Sequence, residues 1–271
     1  MKIIPITLSG DSRLDIFRRV KDRDLRAEGI MLVEGRHCVE RCIASGFDVA
    51  AVLCENDRHG GLASPGGRVP MFSVGRDVME RIAGYDFHRG IMAAARRPPA
   101  ASIHDFLSSM PANGPLGVVC VDRCASGENL GGIVRTAHAF GYHAVLATGS
   151  ADPFSRRVIR VSAGSVFSVP VLEADDMGET LHALRCDARC RLYAAVTDRA
   201  GAVFDSCVVP PRRAVLFGCE GTGLSDELAA LCDEAIHVPM SGAIDSLNLA
   251  VAAGIILQKF GRLDHHRMRP G

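Results

Sequence analysis

The sequence predicts a two-domain α/β protein, and three observations carry that expectation. Short apolar runs rich in Val, Ile and Ala alternate with segments of helical length and period along most of the chain, the pattern of β-α-β units. Pro98, Pro99, Pro111 and Pro115 break the alternation once, around the brief amphipathic segment SIHDFLSSM, which marks a linker. The chain has 271 residues, enough to bury a core on each side of that break. The expected parts are a small α/β domain over 1–97, a linker over 98–115 and a larger domain over 116–271.

In the first part, Leu14, Ile16, Phe17 and Val20 form an apolar stripe that predicts a short helix. IMLV from Ile30 reads as a strand, Glu34 to Ser45 as a helix stopped by Gly46, and DVAAVLC as a second strand. After the Gly- and Pro-rich HGGLASPGG (59–67) come the strand PMFSV, a helix over Asp77 to Ala83 and the strand GIMAAARR. No catalytic constellation appears there.

The second part opens with the strand PLGVVCVD and runs into ENLGGIVRTAHAFGYHAVLA. Asn129, Gly131 and Gly132 are expected in a turn before a helix from Ile133 to Phe140, with Arg135 near that helix's start. This is neither GxGxxG nor GxxxxGK[ST], so a dinucleotide or nucleotide-triphosphate fingerprint is absent. Arg156, Arg157 and Arg160 make a local basic cluster, followed by an expected strand SVFSVPV, a helix over Met177 to Cys186 and the strand RLYAAVT. The strand Ala214 to Phe217 then meets Gly218, Cys219, Glu220, Gly221, Thr222 and Gly223 before a helix capped by Ser225. Three glycines in that run suit a backbone-lined pocket wall, and also a plain turn. Last, IHVPMSGAIDSLNLAVAAGIIL gives a strand, a loop after Pro239 and an apolar helix, with Ser246 as expected N-cap and Asn248 as a polar side chain with donors and an acceptor. An ordinary strand-to-helix turn would fit this last stretch by itself.

Composition limits the function classes. The balance of 31 basic against 31 acidic residues argues against bulk electrostatic coating of nucleic acid but leaves room for local patches. LNLAVAAGIIL is too short to cross a bilayer, and MKIIPITLSGDSR lacks the apolar core of a signal peptide, so a cytoplasmic protein without membrane contact is expected. The ten cysteines are scattered without a CxxC pair and read as reduced, mostly buried thiols.

NLGGIVRTAHAFG, LFGCEGTGLS and VPMSGAIDSLNLAVA, in this order and spacing, resemble the three motifs of the SpoU (TrmH-like) family of SPOUT RNA methyltransferases. RRVIRVSAGSVF resembles the basic Ser-Gly segment that lies between the first two. More loosely, FRRVKDRDLRAEGIMLVEGRHCVERCIASGFDVAAVL is similar to the ribosomal-protein-like RNA-binding domain that precedes the catalytic domain in many members. The resemblance implies a parallel-sheet SPOUT domain with a C-terminal trefoil knot, a homodimer formed through the knot region, and transfer of a methyl group from S-adenosylmethionine to a ribose 2′-hydroxyl of rRNA or tRNA. It assigns the cofactor to Thr197, Leu216, Gly218, Gly221, Ile236, Val238, Met240 and Leu247. Catalysis falls to Asn129, Arg135, Glu220, Ser246 and Asn248, and RNA contact to Arg156, Arg157 and Arg160, with no metal. Arginine is too weak an acid to serve readily as a base, so Arg135 is expected to anchor phosphate and stabilise developing alkoxide charge. Cys219 and Leu249 stand where Asn, Ser or Ala and Val respectively are frequent in the family. Two alternatives to a methyltransferase are an RNA-binding protein that has lost catalysis and a serine hydrolase using Ser162, Ser241 or Ser246. The second lacks a GxSxG elbow.

Overall fold

The computed structural model describes residues 3–18, 21–56, 58, 60–62, 69–197 and 201–261. Val20 and most of the 59–67 connection lie outside the described residues. The chain divides into two compact units, one of residues 1–99 with 154–168, the other of 100–153 with 169–271.

The first unit holds a five-stranded sheet. Its strands are β1 (Ile3–Ile6), β2 (Ile30–Glu34), β3 (Val49–Glu55), β4 (Met71–Val74) and β5 (Ile91–Arg96), in the order β1-β4-β3-β5-β2. β1, β4 and β3 run parallel, while β5 is antiparallel to both β2 and β3. The expected β-α-β unit is present as β2, α2 (Arg36–Ala44) and β3, with β5 inserted between its two strands. The expected first helix is a short 3₁₀ segment, Ser12–Phe17, capped by Asp11 and burying Leu14 and Phe17. A separate α1 (Asp22–Ala27) follows it, and α3 (Arg76–Ala83) ends on the left-handed Gly84.

A chain segment that the sequence places wholly in the larger domain packs here. In α6 (Arg156–Val161), Arg156 Nε meets Asp22 Oδ1 at 2.9 Å and its Nη1 lies 3.7 Å from Glu34 Oε1. Arg41 Nη1 donates to the Ala163 carbonyl at 3.1 Å, and the Phe47 ring meets Phe167 edge-on at 5.1 Å. The expected strand over 165–171 does not form as drawn. Ala163 and Gly164 take left-handed conformations, Ser165–Phe167 makes a 3₁₀ turn, and β8 (Val171–Ala174) starts only after Pro170.

The second unit is built on a seven-stranded sheet in the order β10-β12-β9-β11-β6-β7-β8, every pairing parallel. Besides β8, its strands are β6 (Leu116–Asp122), β7 (Ala144–Thr148), β9 (Arg191–Ala195), β10 (Ala202–Val203), β11 (Arg212–Phe217) and β12 (Glu234–His237). The central strands are apolar along most of their length, as a sheet covered on both faces requires, with charged residues only at strand ends (Asp122, Arg191, Arg212 and Arg213); all seven residues of β6 are buried. One face packs against α7 (Met177–Cys186), α8 (Asp226–Ala230) and α4 (Ile103–Ser109). α4 falls within the expected linker, yet Phe106 belongs to this core.

Two helices set the site. α5 (Gly127–Ala139) starts six residues before the expected position, because the Ser126 hydroxyl accepts from the Asn129 amide and caps it. Gly131 and Gly132 therefore lie inside the helix. A Cβ built on Gly132 would stand 3.0 Å from Ala250 Cβ, so α5 and α9 (Leu249–Phe260) touch at that point and only a small residue fits. Arg213, buried in β11, holds the far end of α9. Its Nε donates to the Phe260 carbonyl, its Nη1 to the Pro210 carbonyl at 3.1 Å, and its guanidinium lies 5.9 Å from the Tyr142 ring centroid.

Candidate functional site

A parallel sheet collects the carboxyl ends of its strands along one edge, and ligands of open α/β sheets bind outside that edge. Here the segments following β9, β11 and β12 surround a cavity of about 440 Å³. Phe217 and Ile256 give it apolar surface, while 218–223 and 245–249 form its walls. The wall after β11 is a closed loop: Cys219 and Gly223 exchange backbone hydrogen bonds of 3.1 and 3.0 Å. Gly221 and Gly223 supply the positive φ angles, 91° and 70°, that this tight closure needs. A Cβ on Gly218 would lie 2.4 Å from the backbone of Gly223. A larger residue there breaks the wall itself before it intrudes on a ligand.

Among the expected cofactor residues, Thr197, Gly218, Gly221, Val238, Met240 and Leu247 line the cavity. Leu216 and Ile236 do not. Both are buried in mid-sheet, and their backbone groups are taken by neighbouring strands: Leu216 pairs with Cys120 and Ala194, Ile236 with Ala195 and Ala202. Glu220, Ser246 and Asn248 also line the cavity. Sequence reading passed over Phe217, Asp245, Ala252 and Ile256, which line it too; the helical spacing of Ala252 and Ile256 from Asn248 was the available signal.

The cap of α9 is Asn248, not Ser246. Asn248 Oδ1 accepts from the amides of Ala250 at 3.0 Å and Val251 at 3.2 Å. With the oxygen so engaged, Nδ2 points away from the helix and donates to Asn129 Oδ1 at 3.0 Å. Asn129 in turn donates from Nδ2 to Glu220 Oε1. The helix cap thus fixes the direction of the whole relay, from Asn248 through the buried Asn129 to the carboxylate of Glu220. It ties the first turn of α5 to the loops that follow β11 and β12.

Arg135 stands apart from the cavity. It lies six residues beyond Asn129 on α5, about 9 Å along the axis, is exposed, and makes no hydrogen bond or ion pair among the described residues. Of the three expected RNA-contacting arginines, Arg156 is committed to Asp22 and Glu34; Arg157 is exposed and Arg160 half-buried on the same helix. The thiols are free, and burial pushes that of Cys124, beside the relay, up to about 11.

The comparisons with known proteins agree with this geometry. Residues 117–258 match the SpoU rRNA Methylase family. A tRNA/rRNA methyltransferase of Mycobacterium bovis, described as uncharacterized, is 34% identical over 94% of this chain and 91% of its own. The 23S rRNA (guanosine-2'-O-)-methyltransferase RlmB of Acinetobacter baylyi is 30% identical over 72% of this chain and 79% of its own. Among solved structures, an AdoMet-bound rRNA methyltransferase from Sinorhizobium meliloti shares the fold with a TM-score of 0.82, covering 96% of this chain and 98% of that one at 23% identity. With its second and third strand-loop-helix motifs walling one cavity, the first tied to both through Asn129, and a family match over residues 117–258, the chain belongs to the SpoU rRNA methylase family.

Proposed function

We propose that this protein transfers the methyl group of S-adenosylmethionine to a ribose 2′-hydroxyl of rRNA or tRNA. Its strongest support is the Asn248–Asn129–Glu220 relay, which binds the first turn of α5 and two separate loops into one unit beside the cavity. The lining suits the donor: apolar side chains for the adenine face and glycine backbone for close approach. When bound, S-adenosylmethionine supplies an electrophilic methyl group. Thr197, Gly218, Gly221, Val238, Met240 and Leu247 hold it, with Leu216 and Ile236 supporting them from the strands beneath.

A hydroxyl is a weak nucleophile, so the chain has to align it and ease loss of its proton as the oxygen–carbon bond forms. Asn129, Ser246 and Asn248 fix the surroundings of that hydroxyl, and Glu220 keeps the second loop in register with them. Arg135 anchors a phosphate and offsets charge on the oxygen as the proton leaves. Arg157 and Arg160 contact RNA, and the first unit selects the substrate.

Three more features belong to the same proposal. β12 enters the sheet between the earlier β9 and β10, which supports a C-terminal trefoil knot. Val251 and Ile255, one turn apart on α9, are 51% and 36% exposed and give a homodimer an apolar face. No helix among the described residues is long and apolar enough to cross a membrane, and a cytoplasmic location fits an RNA substrate.

The direct test incubates the protein with methyl-labelled S-adenosylmethionine and with rRNA and tRNA from cells lacking the gene. Label at a ribose 2′-oxygen is the expected result. RNA binding without any transfer would favour a non-catalytic RNA-binding protein.

A further inference from the structure

Beyond the relay, the cavity contains one charged group that no step of the reaction has used. Its charged lining residues are Glu220 and Asp245, and no Lys, Arg or His lines it among the described residues. Glu220 is engaged by Asn129. Asp245 is exposed and has no hydrogen bond or ion pair among the described residues. It stands where the main cavity adjoins a second hollow of about 410 Å³, since Thr197, Val238, Met240 and Asp245 line both. Asp245 has no Lys or Arg beside it among the described residues, and His237 is the other titratable side chain that lines the second hollow; such a carboxylate, on the wall of a cavity of a size to hold a nucleoside, is arranged to meet a positive charge brought by the ligand.

We propose that Asp245 is a specificity-determining residue that pairs with a cationic group of the methyl donor. The inference rests on the methyltransferase reading above. S-adenosylmethionine carries two such groups, the sulfonium and the α-ammonium. The product S-adenosylhomocysteine keeps only the ammonium, and 5′-methylthioadenosine has neither. Opposite charges near a protein surface attract, and solvent and salt screen that attraction. For an exposed carboxylate that screening is strong, so removing the charge should cost about five- to tenfold in affinity.

The test is calorimetric binding of these three ligands to the full chain and to Asp245→Asn and Asp245→Glu, with thermal midpoints checked for folding. If the sulfonium is the partner, Asp245→Asn weakens S-adenosylmethionine about five- to tenfold and leaves the other two within about twofold. If the ammonium is the partner, S-adenosylmethionine and S-adenosylhomocysteine weaken together and 5′-methylthioadenosine does not. In either case Asp245→Glu recovers much of the loss and added salt shrinks the difference. Equal affinities for all three ligands in the wild type and Asp245→Asn would overturn the proposal. So would equal weakening of all three, which marks a change of loop shape. A wild-type chain that binds none of them would instead remove the methyltransferase reading on which the inference rests.

Discussion

Asn248 Nδ2 donates to Asn129 Oδ1 at 3.0 Å across 119 residues of sequence. The same Asn248 caps α9 through its oxygen, so one side chain serves helix stability and site assembly at once. Asn248→Asp separates the two duties. Aspartate caps a helix as well as asparagine does, but it has no proton to donate to Asn129 and sets a second carboxylate near Glu220. Unfolding should show only the cost of leaving the buried Asn129 oxygen without its donor, about 1 to 3 kcal/mol, with the cap itself kept, while methyl transfer falls at least about tenfold. Asn248→Ala should lose about 1 kcal/mol in addition. Full activity in Asn248→Asp would show the relay to be structural decoration.

Gly218 is a test of the loop wall. Because even a single carbon there would meet the Gly223 backbone at 2.4 Å, Gly218→Ala should deform the 219–223 closure, lower the affinity for S-adenosylmethionine about tenfold or more, and reduce stability as well. Gly221→Ala meets no atom within 4 Å but must hold a φ of 91°. It should cost about 1 to 2 kcal/mol in stability with a smaller effect on binding. Calorimetry and unfolding together distinguish the two outcomes.

Much of this arrangement was legible before the structure. α7 runs over Met177–Cys186 as expected because Asp176 caps it with a clear signal, accepting from the Glu179 amide. The start of α5 was misplaced because Asn129, Gly131 and Gly132 read as turn residues; their small size and polarity serve helix contact and the relay, neither of which a local pattern reveals. Ser246 is the cap of α9 that the sequence suggests, and the path of the loop gives that place to Asn248 instead. Arg156 read as an RNA contact because its partner Asp22 lies 134 residues away. Leu216 and Ile236 were placed in the site by family analogy, although the strand ladders already occupy their backbones.

The exposed pair Val251 and Ile255 gives a test of assembly. If α9 forms the homodimer face, light scattering of the wild type at micromolar concentration should give about twice the 28.9 kDa chain mass, and Val251→Asp should restore the single-chain mass without unfolding. A wild-type particle of one chain mass would remove the dimer.

The most direct measurement of the central proposal is single-turnover methyl transfer to the mapped RNA by the wild type and Arg135→Ala, with S-adenosylmethionine affinity measured on both. Arg135 lies outside the cavity lining, and its proposed interaction strengthens only as charge develops on the ribose oxygen. Expected is a 2′-O-methyl mark formed by the wild type, a rate at least about a hundredfold lower in Arg135→Ala with cofactor affinity within about threefold, and little rescue by Arg135→Lys, whose ammonium lacks the planar fork. Transfer by Arg135→Ala near the wild-type rate, or a wild type that leaves no 2′-O-methyl mark on any rRNA or tRNA, would contradict it.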